Sequence, residues 1–286
     1  MRRDDNAIYV AQGSGRWFPG TRSDLHGAVM EYMDEAKIPE LSGPVQAVIA
    51  PHAGYPFSGP VAGYAFRALA ASGERFGRPE TVVILGFSHR ERFRGAALLP
   101  GVAYETPLGA APLDQDAVRD MTDGTNRLFC DDRPHRLEHS AENQVPFVQA
   151  ALPEAKLVVA LFGDQDDETR RDMVAALDAL AAGKNIVVVA STDLLHDPDY
   201  EKVSRTDRET LSTITALDDE RLANAWSPRF QPCCGIAPVL TAIRYARGRG
   251  CCRGVVLHYR NSGDDFPESR GEWVVGYAAV SFSSVS

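Results

Sequence analysis

Six short runs of unbroken apolar, largely β-branched residues recur along the chain, and they constrain its fold more than any other feature. They are VQAVIA from Val45, TVVILG from Thr81, KLVVALF from Lys156, NIVVVAS from Asn185, GVVLHY from Gly254 and WVVGYAAVSF from Trp273. A strand with one wet face alternates apolar and polar residues, whereas a run apolar throughout reads as a strand covered on both faces. Helix patterns fill the gaps: SDLHGAVMEYMDEA with Ser23 as N-cap, SGPVAGYAFRALAAS from Ser58, and SAENQVPFVQAAL from Ser140. DETRRDMVAALDALAA from Asp167, DRETLSTITALDDERLANAW from Asp207 and GIAPVLTAIRYAR from Gly235 complete the series. Such alternation predicts an α/β fold, with a mostly parallel or mixed central sheet, right-handed crossovers and helices on both faces. No repeat, low-complexity tract or long linker interrupts it, so residues 1–286 are expected to form a single domain.

Charge narrows the class of partner. A net charge of −9 and an isoelectric point near 5.3, with no basic stripe, argue against nucleic acid or an anionic membrane surface. No stretch approaches the roughly 20 apolar residues of a membrane helix. The two arginines near the start are followed by acids rather than an apolar run, so no secretory signal is expected. Five cysteines, one alone and two adjacent pairs, suit neither a disulfide framework nor a C-x-x-C zinc site. Reduced thiols in a cytoplasmic protein are the expectation.

In open α/β sheets ligands bind beyond the carboxyl ends of the strands, where loops carry variable side chains on a rigid base. The residues that follow each run are therefore the ones that matter. His52 follows the first run, with Tyr55 close behind; His89 follows the second; His196 follows the fourth, with Asp193 between. One such histidine is most simply a loop residue, but three of seven at equivalent strand ends predict a shared site. His26 and His135 read as ordinary helix and loop residues, and His258 as part of a strand.

Cys234 stands just ahead of a helix pattern, where the dipole and free N–H groups favour a thiolate; Cys233 is an equal candidate on spacing. Imidazoles with a thiolate suit iron, copper or zinc, not magnesium or calcium. Glu138 and His139 precede the helix pattern in which Ser140 is the expected N-cap and Glu142 complements the dipole. They stand where a loop can turn them into the pocket, and Asp193 is placed to orient an imidazole.

Several of these segments resemble the Memo family, whose prokaryotic members are labelled AmmeMemoRadiSam system protein B. The likeness runs through Gly15-Arg16-Trp17-Phe18-Pro19, APHAGYPFSG at Ala50, ILGFSH at Ile84 and EHSAENQVPFVQ at Glu138. It continues in STDLLH at Ser191, CCGIAPV at Cys233 and VVGYAAV near the end. The family is similar in fold to class III extradiol ring-cleaving dioxygenases. The resemblance implies that His52 and His89 match its two histidine metal ligands and that Cys234, rather than Cys233, matches its cysteine ligand. It further implies that His196 occupies the general-base position of the related dioxygenases and Asp193 that of a pocket aspartate.

Two departures bear on the chemistry. The dioxygenases complete an iron site with a carboxylate where this chain has a thiol, which is softer and itself oxidisable. Some Memo relatives are described as adaptors that bind phosphorylated peptides, so the family does not by itself imply an enzyme. The expectation is a redox protein that binds iron(II), with copper or zinc as other metals that suit the donors. It would act on a small molecule, with His196 taking a proton from a substrate hydroxyl. The alternative is a non-catalytic module that takes a peptide or small ligand in the same cleft. A thiol hydrolase with Cys234 as nucleophile ranks behind both.

Overall fold

The alternation of side chains along each long apolar run feeds two cores, one on each face of a single sheet. The computed structural model describes residues 6–284; the first five residues of the N-terminal stretch considered above lie outside that span. The strands are β1 (Ile8–Val10), β2 (Val45–Ala50), β3 (Thr81–Phe87), β4 (Ala96–Leu98), β5 (Ala103–Thr106) and β6 (Gly109–Pro112). They continue with β7 (Leu128–Cys130), β8 (Lys156–Phe162), β9 (Ile186–Ser191), β10 (His196–Asp197), β11 (Gly254–Asn261) and β12 (Val274–Ser283). The helices are α1 (Arg22–Glu35), α2 (Tyr55–Phe76), α3 (Gln115–Thr122), α4 (Val145–Ala151) and α5 (Asp167–Gly183). After these come α6 (Tyr200–Thr215), α7 (Asp219–Ala225), α8 (Ile236–Gly248) and the single turn α9 (Ser262–Asp265).

In β3, Val82 and Ile84 point to one face while Val83 and Leu85 point to the other; β8 and β9 divide in the same way. The first face is covered by α1, α2 and α4, the second by α3, α5, α6 and α8. Fully burying one such Val, Leu or Ile contributes roughly 1.5–3 kcal/mol, so strands apolar at every position are stable only between two layers of helix. The main sheet runs β10-β12-β2-β9-β3-β8-β4-β7, with β11 also paired to β12. The four central strands β2, β9, β3 and β8 are parallel, while β12 and β4 run antiparallel to them at either side. A smaller sheet has the order β1-β5-β6. None of the described helices is long and apolar enough to cross a membrane.

Four helix starts differ from expectation, and the simplest is α2, which begins at Tyr55 and not at Ser58. The cap of α1 is Thr21, whose hydroxyl accepts from the Asp24 N–H, and not Ser23. The long pattern expected from Asp207 begins earlier, at Tyr200 after the cap Asp199, and Leu217 (φ 57°) breaks it before α7. Ser140 caps no helix: its Oγ donates to the Phe87 carbonyl (2.8 Å) and accepts the Phe87 N–H (3.1 Å), and α4 starts only at Val145.

Asp207 ties α6 to the segment that leaves β9. Its Oδ1 accepts the Leu195 N–H at 3.1 Å and its Oδ2 the Tyr259 hydroxyl at 2.8 Å. Burial pushes this carboxyl up to about 7, against those two bonds, which favour the charged form. A carboxyl raised in the fold holds a proton that the unfolded chain has lost, so its contribution is complete below about pH 4 and fades towards pH 7. Asparagine reproduces the protonated form, accepting from Leu195 and donating to Tyr259. We expect Asp207→Asn to flatten the fall in stability between pH 4 and pH 8, with a gain on the order of 3 kcal/mol at the alkaline end. Urea midpoints at pH 5 and pH 8 read this directly, and an unchanged pH slope refutes it.

Candidate metal centre

Pairing of β2 and β3 on either side of β9 brings three strand ends together, with Ala50 opposite Ser191 and Leu85 opposite Ala190. The chain leaves β2 through Pro51 and His52, β3 through Ser88 and His89, and β9 through Thr192 and Asp193. The start of α8 closes over the middle strand. The Gly235 N–H donates to Thr192 Oγ1 at 2.8 Å, and a Cβ at Gly235 would run into the Ser191 carbonyl, so only glycine permits this approach. That docking delivers Cys234, whose N–H donates to the Asp193 carbonyl at 3.2 Å. Its Sγ lies 3.2 Å from His52 Nε2, and one donor atom each from His52, His89 and Cys234 fall within 4.8 Å of one another. Cys233 points into the core instead, where burial drives its thiol far up.

Counting protons settles which ring nitrogens are available. Ser191 has one hydroxyl proton, and it is donated to the Ser140 carbonyl. The same oxygen accepts from Gln144 Nε2 at 2.8 Å, so His52 Nδ1, 3.0 Å away, must be the donor to its remaining lone pair. His89 Nδ1 lies 3.0 Å from Glu138 Oε1, and that carboxyl also accepts the N–H groups of His89 (2.6 Å), His139 (2.9 Å) and Ser140 (2.9 Å). Burial raises the Glu138 carboxyl, but its bonds to His89 and the neighbouring N–H groups win and bring it down to about 2. As a carboxylate it can only accept, so His89 Nδ1 also carries its proton. Both Nε2 atoms are thereby left for the sulfur or for a metal. His89, Glu138 and His139 form a second close group, but the Glu138 oxygens already accept four N–H donors.

The charges follow from this packing. Burial alone would raise the Cys234 thiol; the His52 and His89 rings overcome it and hold the group well below an ordinary thiol. Conversely, burial would lower His89, and the sulfur and Glu138 lift it to about 10; His52 is raised by the same sulfur. His139 completes a triad of rings, with centroids 5.3 Å from His52 and 5.1 Å from His89, and Trp17 stacks flat on it at 4.0 Å. Burial and the His52 charge depress His139 to about 3, so it is neutral.

The remaining expected residues sit as follows. Asp193 is fully buried, and its Oδ1 accepts the main-chain N–H of His52 (2.7 Å) and Ala53 (3.3 Å), not a ring N–H; the ring-orienting oxygen is that of Ser191. His196 is not in the close group. It is exposed on β10, edge-on to Trp273 at 5.9 Å, though near enough to act on Asp193, whose carboxyl burial raises against the pull of His52 and His196. Tyr55 is buried with its hydroxyl given to the Asn143 carbonyl (2.9 Å), and Asn143 in turn donates to the His52 carbonyl (2.7 Å). Glu142 is no dipole complement but accepts the Gln12 N–H (2.9 Å), the Gly13 N–H and the Tyr104 hydroxyl (2.7 Å), anchoring the segment that carries Trp17. His135, expected as a plain loop residue, is buried with Nε2 3.1 Å from the Ala97 carbonyl, and burial lowers it to about 4. Ser191, Gln144 and Trp17 are the working residues that spacing did not single out; all lie within segments that carry the family resemblance.

An α/β sheet with two imidazoles and a thiolate gathered at its strand ends defines a candidate metal-binding protein. The Memo-like protein family model matches residues 10–281, and the chain belongs to the Memo family. A MEMO1 family protein of Methanopyrus kandleri is 32% identical over 282 residues, covering 94% of this chain and 96% of its own. One of Methanothermobacter thermautotrophicus is 34% identical over 239 residues, covering 83% and 84%. The crystal structure of an uncharacterized protein from Escherichia coli K12 aligns at a TM-score of 0.48 with 14% identity, covering 83% of this chain and 99% of its own.

A sulfur held as thiolate reacts with alkylating agents at pH values where an ordinary thiol, near 8.5, is almost wholly protonated. We expect iodoacetamide at pH 6 to label Cys234 in metal-free protein at least 10-fold faster than the exposed Cys252, and His52→Ala to remove most of that advantage. Peptide mass mapping over time checks this; equal rates at the two cysteines sink the imidazole–thiolate pairing.

Proposed function

We propose that the protein is a metal-dependent redox protein in which His52, His89 and Cys234 hold iron(II), with copper or zinc as other metals that suit the donors, and which acts on a small molecule. The observation that carries this reading is the disposition of protons. Ser191 and Glu138 occupy both Nδ1–H groups, so the two Nε2 atoms and a thiolate face one point, where a metal would displace the Nε2 protons. Three protein donors with one side open are the arrangement of a reactive rather than a purely structural metal site. His89 forms that open side, with 30% of its side chain exposed, whereas His52 is buried. When bound, iron or copper supplies one-electron redox chemistry and polarises an oxygen-bearing substrate.

The chain's own residues do the rest. Ser191 and Glu138 fix the two rings so that no rotation precedes metal uptake. Trp17, stacked on His139, packs against the outer ring of the cluster. We assign His196 the proton from a substrate hydroxyl, since it is an exposed imidazole at the end of the segment that carries Asp193. The small-molecule reading is favoured over the adaptor reading by the inward direction of the donors, which face one another and not the surface.

Protein purified without oxygen is expected to hold about one iron or copper per chain by elemental analysis. His52→Ala and Cys234→Ala should lose it, and a variant that retains stoichiometric metal overturns the ligand assignment. With phenolic compounds, His196→Ala should keep the metal and slow oxygen uptake by about 10²–10⁴-fold, the usual worth of a general base. Uptake at the wild-type rate removes His196 from the reaction.

A further inference from the structure

At the end of the main sheet opposite the metal centre, where β2 and β9 begin, lies a cleft of about 380 Å³. Its volume is within the range of small-ligand sites, about 300–1,000 Å³. Three helices end around it: α2 at Phe76, α5 beside Lys184 and α8 beside Arg249. Leu69, Ile186 and Val187, each buried in the core, supply an apolar floor.

The charges around this cleft are already answered. Lys184 Nζ donates to Asp114 Oδ2 at 2.7 Å. Arg249 gives its Nε to Gln46 Oε1 (3.4 Å), and its charge pulls down the Asp178 carboxyl, which burial raises. Among the described residues no carboxylate lines the cleft, so a cation finds no counter-ion there. An anion fares no better, because three helices turn their carbonyl ends towards it, each equivalent to about half a negative charge. The uncharged groups, by contrast, are not all spent. Tyr245 is 1% exposed and lines the cleft, yet its hydroxyl bonds to none of the described residues. Burial pushes that phenol up to about 12, so it keeps its proton to donate. Ser72 Oγ accepts the Val45 N–H at 2.9 Å, and its own proton goes to no described residue. Hydroxyl protons without an acceptor, beside an apolar floor and balanced charges, match a ligand that accepts and is itself neutral.

We infer that this cleft binds a small uncharged molecule, a carbonyl group on an apolar ring or chain, with its oxygen on the Tyr245 hydroxyl and its body on the apolar floor. Ser72 presents a second donor from the wall formed by α2. The cleft and the metal centre stand at opposite ends of β2 and β9, six residues apart along each strand. The inference therefore does not rest on the function proposed above.

The test is an NMR titration of the full isotope-labelled chain with benzamide, benzoate and benzylammonium, which share one apolar ring and differ in charge. We expect benzamide to shift the amides of Phe76, Lys184 and Arg249 saturably, and to bind at least about 10-fold tighter than either charged probe. Tyr245→Phe should weaken benzamide roughly 3–10-fold, the worth of one hydrogen bond. The same variant should keep the wild-type urea midpoint, because in the fold the hydroxyl has no partner to lose. Ala181→Trp, on the wall formed by α5, should abolish binding by filling the space. A charged probe bound as tightly as benzamide, no saturable shift at these amides, or a Tyr245→Phe variant that binds as the wild type does overturns the inference. A lowered midpoint in that variant also overturns it, since the hydroxyl is then already engaged. Lost benzamide binding with metal retained removes only this site, and benzamide binding in protein that takes up no metal removes only the metal reading.

Discussion

The whole site depends on β9 lying between β2 and β3 in parallel register. Neighbouring strands stand about 4.8 Å apart, so the ends of β2 and β3 are separated by roughly twice that. Imidazoles reaching inward from both flanking strands close most of the gap, and the His52 and His89 ring centroids meet at 5.2 Å. The middle strand cannot itself supply a donor at that point, because its end lies beneath the gap. It supplies Ser191 to orient one ring and Thr192 to seat the helix that brings in Cys234 from above. An antiparallel neighbour would have sent one of these ends to the opposite edge of the sheet.

The segment from Glu138 to Gln144 locks this arrangement. Glu138 holds His89, and Ser140 bonds both ways with Phe87 at the end of β3. Asn143 takes the His52 carbonyl and Gln144 the Pro51 carbonyl (2.9 Å) and Ser191. Glu142 reaches the opposite way to the segment that carries Trp17. One short stretch thus contacts the ends of all three strands, and nearly every polar side chain in it has an assignment that a change of residue type would break.

How far the sequence could be read depended on whether a feature was local. Five of the six long strands were legible because burial on both faces leaves an apolar run, as in TVVILG and NIVVVAS; β11, read in the same way, pairs with β12 alone and leaves Val255 and Val256 exposed. The short strands β4, β5, β6, β7 and β10 span two to four residues, too few for any period to appear. His52 and His89 could be found because each lies within two residues of a strand end, whereas Cys234 was told from Cys233 only by the family resemblance. Ser140 was misjudged because serine before a helix pattern suggests a cap, whereas its partner, Phe87, is 53 residues away. His196 shows where the strand-end rule weakens. Four residues intervene after β9, and they carry the chain across to β10, which pairs with β12 at Val274 and Val275 rather than with β9. Asp193, earlier in that connection, stays beside His52 and Cys234; His196, at its end, does not.

The uneven burial of the three donors has a chemical consequence for the sulfur. A thiolate is the donor most easily lost to oxidation, and exposure accelerates that loss. Here Cys234 is only partly exposed, and the Asp193 N–H donates to its Sγ at 3.3 Å. N–H donors to a ligating sulfur draw off electron density and raise the potential at which it and its metal are oxidised. The docking of α8 that brings the sulfur into the site therefore also tempers it, since the Asp193 amide can reach Sγ only when Gly235 lets the helix close on β9. A larger residue at position 235 would do more than shift Cys234: it would part the sulfur from the Asp193 N–H that donates to it.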